Sequence, residues 1–105
     1  PTSNGAADYA SGSLDMARAY AYIGDKEHAR QQLEQLWNKS KQYIAYYTQL
    51  PQSLFYMSRQ ECLLHLYIMQ HVAETAGSVS DELAQRYATE LNQTALLYEQ
   101  RGGSY

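Results

Sequence analysis

Three residues, Gly24, Pro51 and Gly77, limit what this chain can fold into. Each interrupts a long stretch whose apolar residues recur at helical spacing. The segment AYAYIGDKEHARQQLEQLW, Ala19 to Trp37, reads as two helices hinged at one glycine. Glycine takes the left-handed conformation that closes a helix without steric cost, so Gly24 is expected at positive φ. Asp25 then caps the next helix, with Glu27 in its first turn where the helix dipole favours an anion.

The first helix is expected from about Ser13 to Ile23, with Ser13 as its cap and Met16, Ala17, Tyr20 and Ile23 on the buried face. The second runs to about Thr48, burying Ala29, Leu33, Leu36, Tyr43, Ile44 and Tyr47, with Trp37 at the edge of that stripe. Pro51 pushes its neighbour away from helix and breaks the run. A third helix follows from Ser53 to Ala76. Its CLLHLYIM run, Cys62 to Met69, is apolar almost all round, which marks a central helix with Leu64 and Ile68 buried. The run could also be a buried strand, but its length and the lack of strand partners favour helix. Gly77 closes it. Ser78 or Ser80 caps a fourth helix, which buries Leu83, Tyr87, Leu91 and Tyr98 beside Ala84, Ala88 and Ala95 and pairs Glu82 with Arg86 outside.

The reading is therefore all-α: two antiparallel helical hairpins, as a right-handed helical repeat or a small bundle. Residues 1–12, small and polar without a period, read as a flexible lead-in. Residues 13–101 form one helical domain and residues 102–105 fray. The chain's 105 residues match one domain, and such a length buries roughly two-thirds of its unfolded surface, enough for a single core.

Composition narrows the partners. With 8 basic against 11 acidic residues the net charge is -3, which argues against nucleic acid and against anionic lipid. The apolar run of helix three falls far short of the roughly 20 residues that span a bilayer, so no membrane insertion is expected. Cys62 stands alone, so no internal disulfide is possible. The first residue is Pro1, which suggests a processed product or a piece of a longer chain. The chain has 11 tyrosines against one phenylalanine. Rings that keep a hydroxyl imply a thin core whose aromatics reach the surface, suited to contacts with proteins or sugars.

No cluster of residues names a chemistry. Glu61, Cys62 and His65 share a turn of helix three with His71 further on, but a metal needs converging ligands from a second element. A buried thiol beside a satisfied histidine is the plainer account. Ser58 or Cys62 with His65 would lie on one rigid helix, without an elbow or oxyanion donors for nucleophilic catalysis. Asp25, Glu27, Asp81 and Glu82 sit where helix starts favour acids. No glycine-rich phosphate loop is present. The expectation is a non-enzyme with no cofactor and no metal.

Ala17, Tyr20, Gly24 and Ala29 occupy the places where a tetratricopeptide repeat has its small residue, aromatic, turn glycine and second small residue. The match departs at Ser13, where that motif has tryptophan, and at Lys41, where it has proline. Gly77 and Ala84 echo Gly24 and Ala29 with two residues inserted. The segment GDKEHARQQLEQLWNKSKQYIAYYTQLP also resembles the soluble C-terminal tail of large bacterial multi-pass membrane proteins of unknown function, related to protein O-mannosyltransferase-type glycosyltransferases. The likeness rests on the GDKEHA turn from Gly24 to Ala29, on Tyr46 and Tyr47 before Leu50 and Pro51, and on Arg59 to Leu64, and it spans Leu14 to Tyr98. It implies an extracytoplasmic, non-catalytic interaction domain, whose parent keeps its catalytic acids elsewhere. A free-standing carbohydrate- or peptide-binding module is the rival reading. In repeats of this type one face of the first helix lines a ligand groove. Here that face would be the stripe Leu14, Arg18 and Tyr22, which would meet the rest of a parent chain or a second copy.

Overall fold

Gly24 does turn the chain through the left-handed region, at φ +87°. Its N–H donates to the Ala21 carbonyl at 3.1 Å and the Asp25 N–H donates to the Tyr20 carbonyl at 2.8 Å. This pair of bonds is the Schellman closure, which satisfies carbonyls that a helix end leaves bare. The Asp25 carboxylate then accepts from the His28 N–H at 3.2 Å and lies 2.7 Å from His28 Nδ1. That backbone N–H holds the Asp25 carboxyl below its usual range.

The computed structural model describes residues 3–105, with side chains from Gly5 onward. Its elements are α1 (Ser3–Tyr22), α2 (Lys26–Thr48), α3 (Gln52–Met57), α4 (Arg59–Ala76) and α5 (Asp81–Gln100), with no strand among the described residues. No helix among them is long and apolar enough to cross a membrane.

The expected lead-in is helical. The α1 helix starts ten residues before Ser13, at Ser3, and the first two residues lie outside the described part. Ala6, Ala7 and Ala10 supply strong helix propensity, and Ala10 is buried. The earlier start changes which face is buried. Ala10, Leu14 and Ala17 are buried and Ala21 is packed against them, one stripe at i, i+4, i+7 and i+11. Met16 and Ile23, expected on the packed face, are 47% and 72% exposed.

Ser58 splits the expected third helix. Its Oγ donates to the Phe55 carbonyl at 2.8 Å, while its N–H is shared between the Leu54 and Phe55 carbonyls. A serine hydroxyl that satisfies a local carbonyl competes with helix propagation. Phe55 is thereby held fully buried in the short α3. Gly77 keeps right-handed geometry, with φ -60°, so it is not the left-handed closure seen at Gly24. Backbone bonds from Ser78, Val79 and Ser80 to Thr75 and Ala76 make that turn instead. Val79 plugs the core there. Of the two candidate caps it is Ser80 that accepts, from the Leu83 N–H at 3.0 Å.

Helices α2 and α4 each touch every other helix, whereas α1 and α5 do not meet. The centre of the core is therefore the α2–α4 seam, built from Leu33, Leu36, Ile44, Cys62, Met69 and Val72. Leu64 is only half-buried, not sealed as the all-round apolar pattern implied, while Ile68 is buried. Tyr43, Tyr47 and Leu91 are half-buried and Ala88 is exposed. Arg86 pairs with Glu34 at 3.7 Å and Glu90 at 3.9 Å rather than with Glu82.

The C-terminal RGGSY is folded back on the domain and does not trail away. Gly102 has φ +103°, and Gly102 and Gly103 donate to the Glu99 and Tyr98 carbonyls, a second Schellman closure. Arg101 reaches across the loop after α2. Its Nε donates to the Thr48 carbonyl at 2.7 Å and its Nη1 to Gln52 Oε1 at 2.9 Å.

Candidate functional site

Because α1 begins at Ser3, it is long enough to lie beside α4 and leave a groove of about 380 Å³ between them. Leu14, Leu64 and Ile68 form its floor, and Arg18, Tyr67 and His71 stand along it. Tyr67 is half exposed and His71 is exposed. Arg18 donates to Thr75 Oγ1 across the groove and to Asp15 Oδ1 on its own helix, both at 3.4 Å, with about half of the side chain in solvent. These long bonds place the guanidinium over α4 without burying it.

The expected stripe of Leu14, Arg18 and Tyr22 is thus divided. Leu14 is 7% exposed and belongs to the core, where it underlies the groove. Arg18 lines the groove above it. Tyr22 is 92% exposed in the last turn of α1 and does not line the groove. The stripe therefore does not form one free surface, because its first member packs inside the chain.

The opposite wall, from α4, was missed. Tyr67 and His71 follow at i and i+4 beside Leu64 and Ile68. The polar residues Gln70, His71 and Glu74 signal that α4 surfaces there. An apolar run read as central all round hides that change of face.

The other candidate cluster does not assemble. His65 turns its Nδ1 to Ser40 Oγ of α2 at 3.3 Å and stacks on Tyr43 with ring centroids 4.6 Å apart. Burial lowers the pKa of that imidazole. Cys62 is fully buried, which pushes its thiol up to about 11, so little nucleophilic thiolate forms at neutral pH. Among the described residues no three His, Cys, Asp or Glu side chains gather where a metal ion could bind.

No protein-family model, curated protein or solved structure matches this chain.

Proposed function

We propose that the chain is a non-catalytic helical-repeat domain that binds protein, and that the α1–α4 groove receives the partner segment. The observation that carries this reading is the groove itself, with an apolar floor of Leu14, Leu64 and Ile68 under Arg18, Tyr67 and His71. Apolar area flanked by arginine and tyrosine is the mixture enriched at protein interfaces. A stack of two hairpins, α1–α2 and α4–α5, is the finer arrangement proposed. In such a stack the first helices of the hairpins touch each other, as α1 and α4 do, and so do the second helices, as α2 and α5 do. Ala17 and Ala29 are 1% and 0% exposed, as expected where small residues let two backbones approach.

The occupant is a segment of a longer parent chain or of a second copy. The extracytoplasmic tail of a bacterial membrane glycosyltransferase-like protein is the parent we propose, on the likeness of Gly24 to Pro51 and of Arg59 to Leu64. Sedimentation equilibrium of the isolated chain tests the groove. Dimerisation should weaken about thirtyfold in the Arg18→Ala, Tyr67→Ala double variant, as expected for loss of two interface side chains that each contribute about 1 kcal/mol. Unchanged association in a variant of unchanged melting temperature would remove the groove from the interface.

A further inference from the structure

The other flank of α1 carries a second, smaller cleft of about 210 Å³, closed below by α2 and α4. Tyr9 and Tyr43 present rings on its sides and Ile68 contributes to an apolar floor. Two polar groups line this apolar space without being fully satisfied among the described residues. The first is His65, which is 6% exposed. Its Nδ1 is taken by Ser40, while its Nε2 has no hydrogen-bond partner among the described residues. Nε2 is not among the sealed, unpartnered polar atoms, and the imidazole lines the cleft. When the Ser40 hydroxyl donates to Nδ1, the proton of the neutral imidazole sits on Nε2 and points outward as a donor.

The second group is Lys39. No carboxylate lies within ion-pairing distance of it among the described residues. Its Nζ is held 4.1 Å from the centroid of the Tyr9 ring, a cation–π contact that leaves the charge uncompensated by an anion. Lys39 and Tyr43 also border the shallower depression that continues toward Tyr46.

An unpaired cation and, in that tautomer, an Nε2–H donor above an apolar floor between two phenol rings define a narrow chemical class. A sugar would leave several hydroxyls unpaired against Ile68 and its apolar neighbours, each at a desolvation cost. A purely apolar ligand would leave Lys39 and Nε2 unused. The volume is below that of a drug-sized pocket, so it suits a single ring. We propose that this cleft binds a small aromatic carboxylate, its ring between Tyr9 and Tyr43 and its carboxylate on Lys39 Nζ and His65 Nε2. The ligand is distinct from the protein segment proposed for the groove, and neither reading requires the other.

Benzoate is the probe, with benzyl alcohol and acetate as its neutral and ringless counterparts, followed by NMR of the Tyr43 and His65 resonances. Benzoate at millimolar concentrations should shift both saturably, and acetate should shift neither. Benzyl alcohol should bind about tenfold more weakly, the loss of one charge-assisted contact. Lys39 is exposed, so Lys39→Gln should keep the parent melting temperature. It should weaken benzoate about tenfold while leaving benzyl alcohol unchanged. Three results would overturn the proposal: no benzoate shift, equal affinity for benzoate and benzyl alcohol, or benzoate binding indifferent to Lys39→Gln in a folded variant.

Discussion

Trp37 of α2 and Tyr87 of α5 stack face to face, their ring centroids 4.1 Å apart and their planes 16° from parallel. Both are almost fully buried, and among the described residues neither the indole Nε1 nor the phenol hydroxyl has a hydrogen-bond partner. Burial pushes the Tyr87 phenol up to about 12, opposed weakly by the neighbouring Arg86 guanidinium. The guanidinium carbon lies 5.5 Å from the ring centroid without satisfying the hydroxyl geometrically. The rings therefore hold α2 to α5 by area and stacking, while one hydroxyl opposes the fold. Tyr87→Phe keeps the stack and removes that group, so it should leave stability unchanged or raise it by about 1 kcal/mol. Tyr87→Ala should lose about 3–5 kcal/mol. Chemical denaturation of the two variants measures both.

Two glycines should respond in opposite senses to the same substitution. Gly12 lies inside α1, with nothing within 4 Å of the place where a Cβ would stand. Gly12→Ala should raise stability by about 0.5–1 kcal/mol through a stiffer unfolded chain and better helix propensity. Gly24 is equally uncrowded, yet its φ of +87° strains any side chain. Gly24→Ala should lower stability by about 1 kcal/mol or more. Thermal melts of the two variants should therefore bracket the parent.

Arg101 fastens the end of α5 to the loop that leaves α2, through the Thr48 and Leu50 carbonyls and Gln52. Gln52 returns a bond to the Arg101 carbonyl at 3.0 Å. Charge-assisted bonds of this kind contribute about 1.5–3 kcal/mol, so Arg101→Ala should lose about that much. Arg86→Ala removes ion pairs that are largely solvated and should cost under about 1 kcal/mol. The Gly103 backbone lies directly against the Tyr98 ring with no room for a Cβ. Gly103→Ala should therefore also destabilise, and Arg101 amide exchange should quicken in it. Comparable losses for Arg101→Ala and Arg86→Ala would show that the clasp contributes nothing beyond a surface charge.

His65 gives the domain a pH dependence of fixed sign. An unfolded chain titrates this group near 6.5, and burial holds the folded value lower, with Glu61 opposing and Lys39 reinforcing. Protons then favour the unfolded chain. The contribution is fully present above about pH 6.5 and is lost as the pH falls from there toward the folded value. His65→Gln, which cannot titrate, should become less stable than the parent at neutral pH by a margin that shrinks on acidification. A margin constant across that window would place the ring in ordinary solvent.

The turn chemistry was legible because it is local. Gly24 and Asp25 need only their own neighbours to make a closure and a cap, and Ser80 does likewise. The same glycine signal stands in Arg101-Gly102-Gly103, but at a chain end it reads as fraying, since the carbonyls Arg101 seeks lie about fifty residues away. The start of α1 was missed because small residues carry no hydrophobic period, although alanine favours helix and Ala10 packs against the core. In a helix begun at Ser13 the apolar period points to Met16 and Ile23, whereas the longer α1 buries Leu14. Ser58 broke α3 from α4 by a hydroxyl-to-carbonyl bond that propensity does not anticipate. Of the groove, Leu14 and Arg18 could be seen from α1 alone. Tyr67 and His71 could not, because which side of α4 stays uncovered is settled by where α1 crosses it.

The proposed role of the α1–α4 groove is to meet protein. The most direct measurement is a map of backbone amide shifts of the isolated chain across protein concentration. Leu14, Arg18, Leu64, Tyr67 and His71 should shift together on one saturating curve, and Arg18→Ala, Tyr67→Ala should flatten it. Shifts gathered instead on Leu96, Leu97 and the exposed face of α5, with the groove residues still, would contradict it.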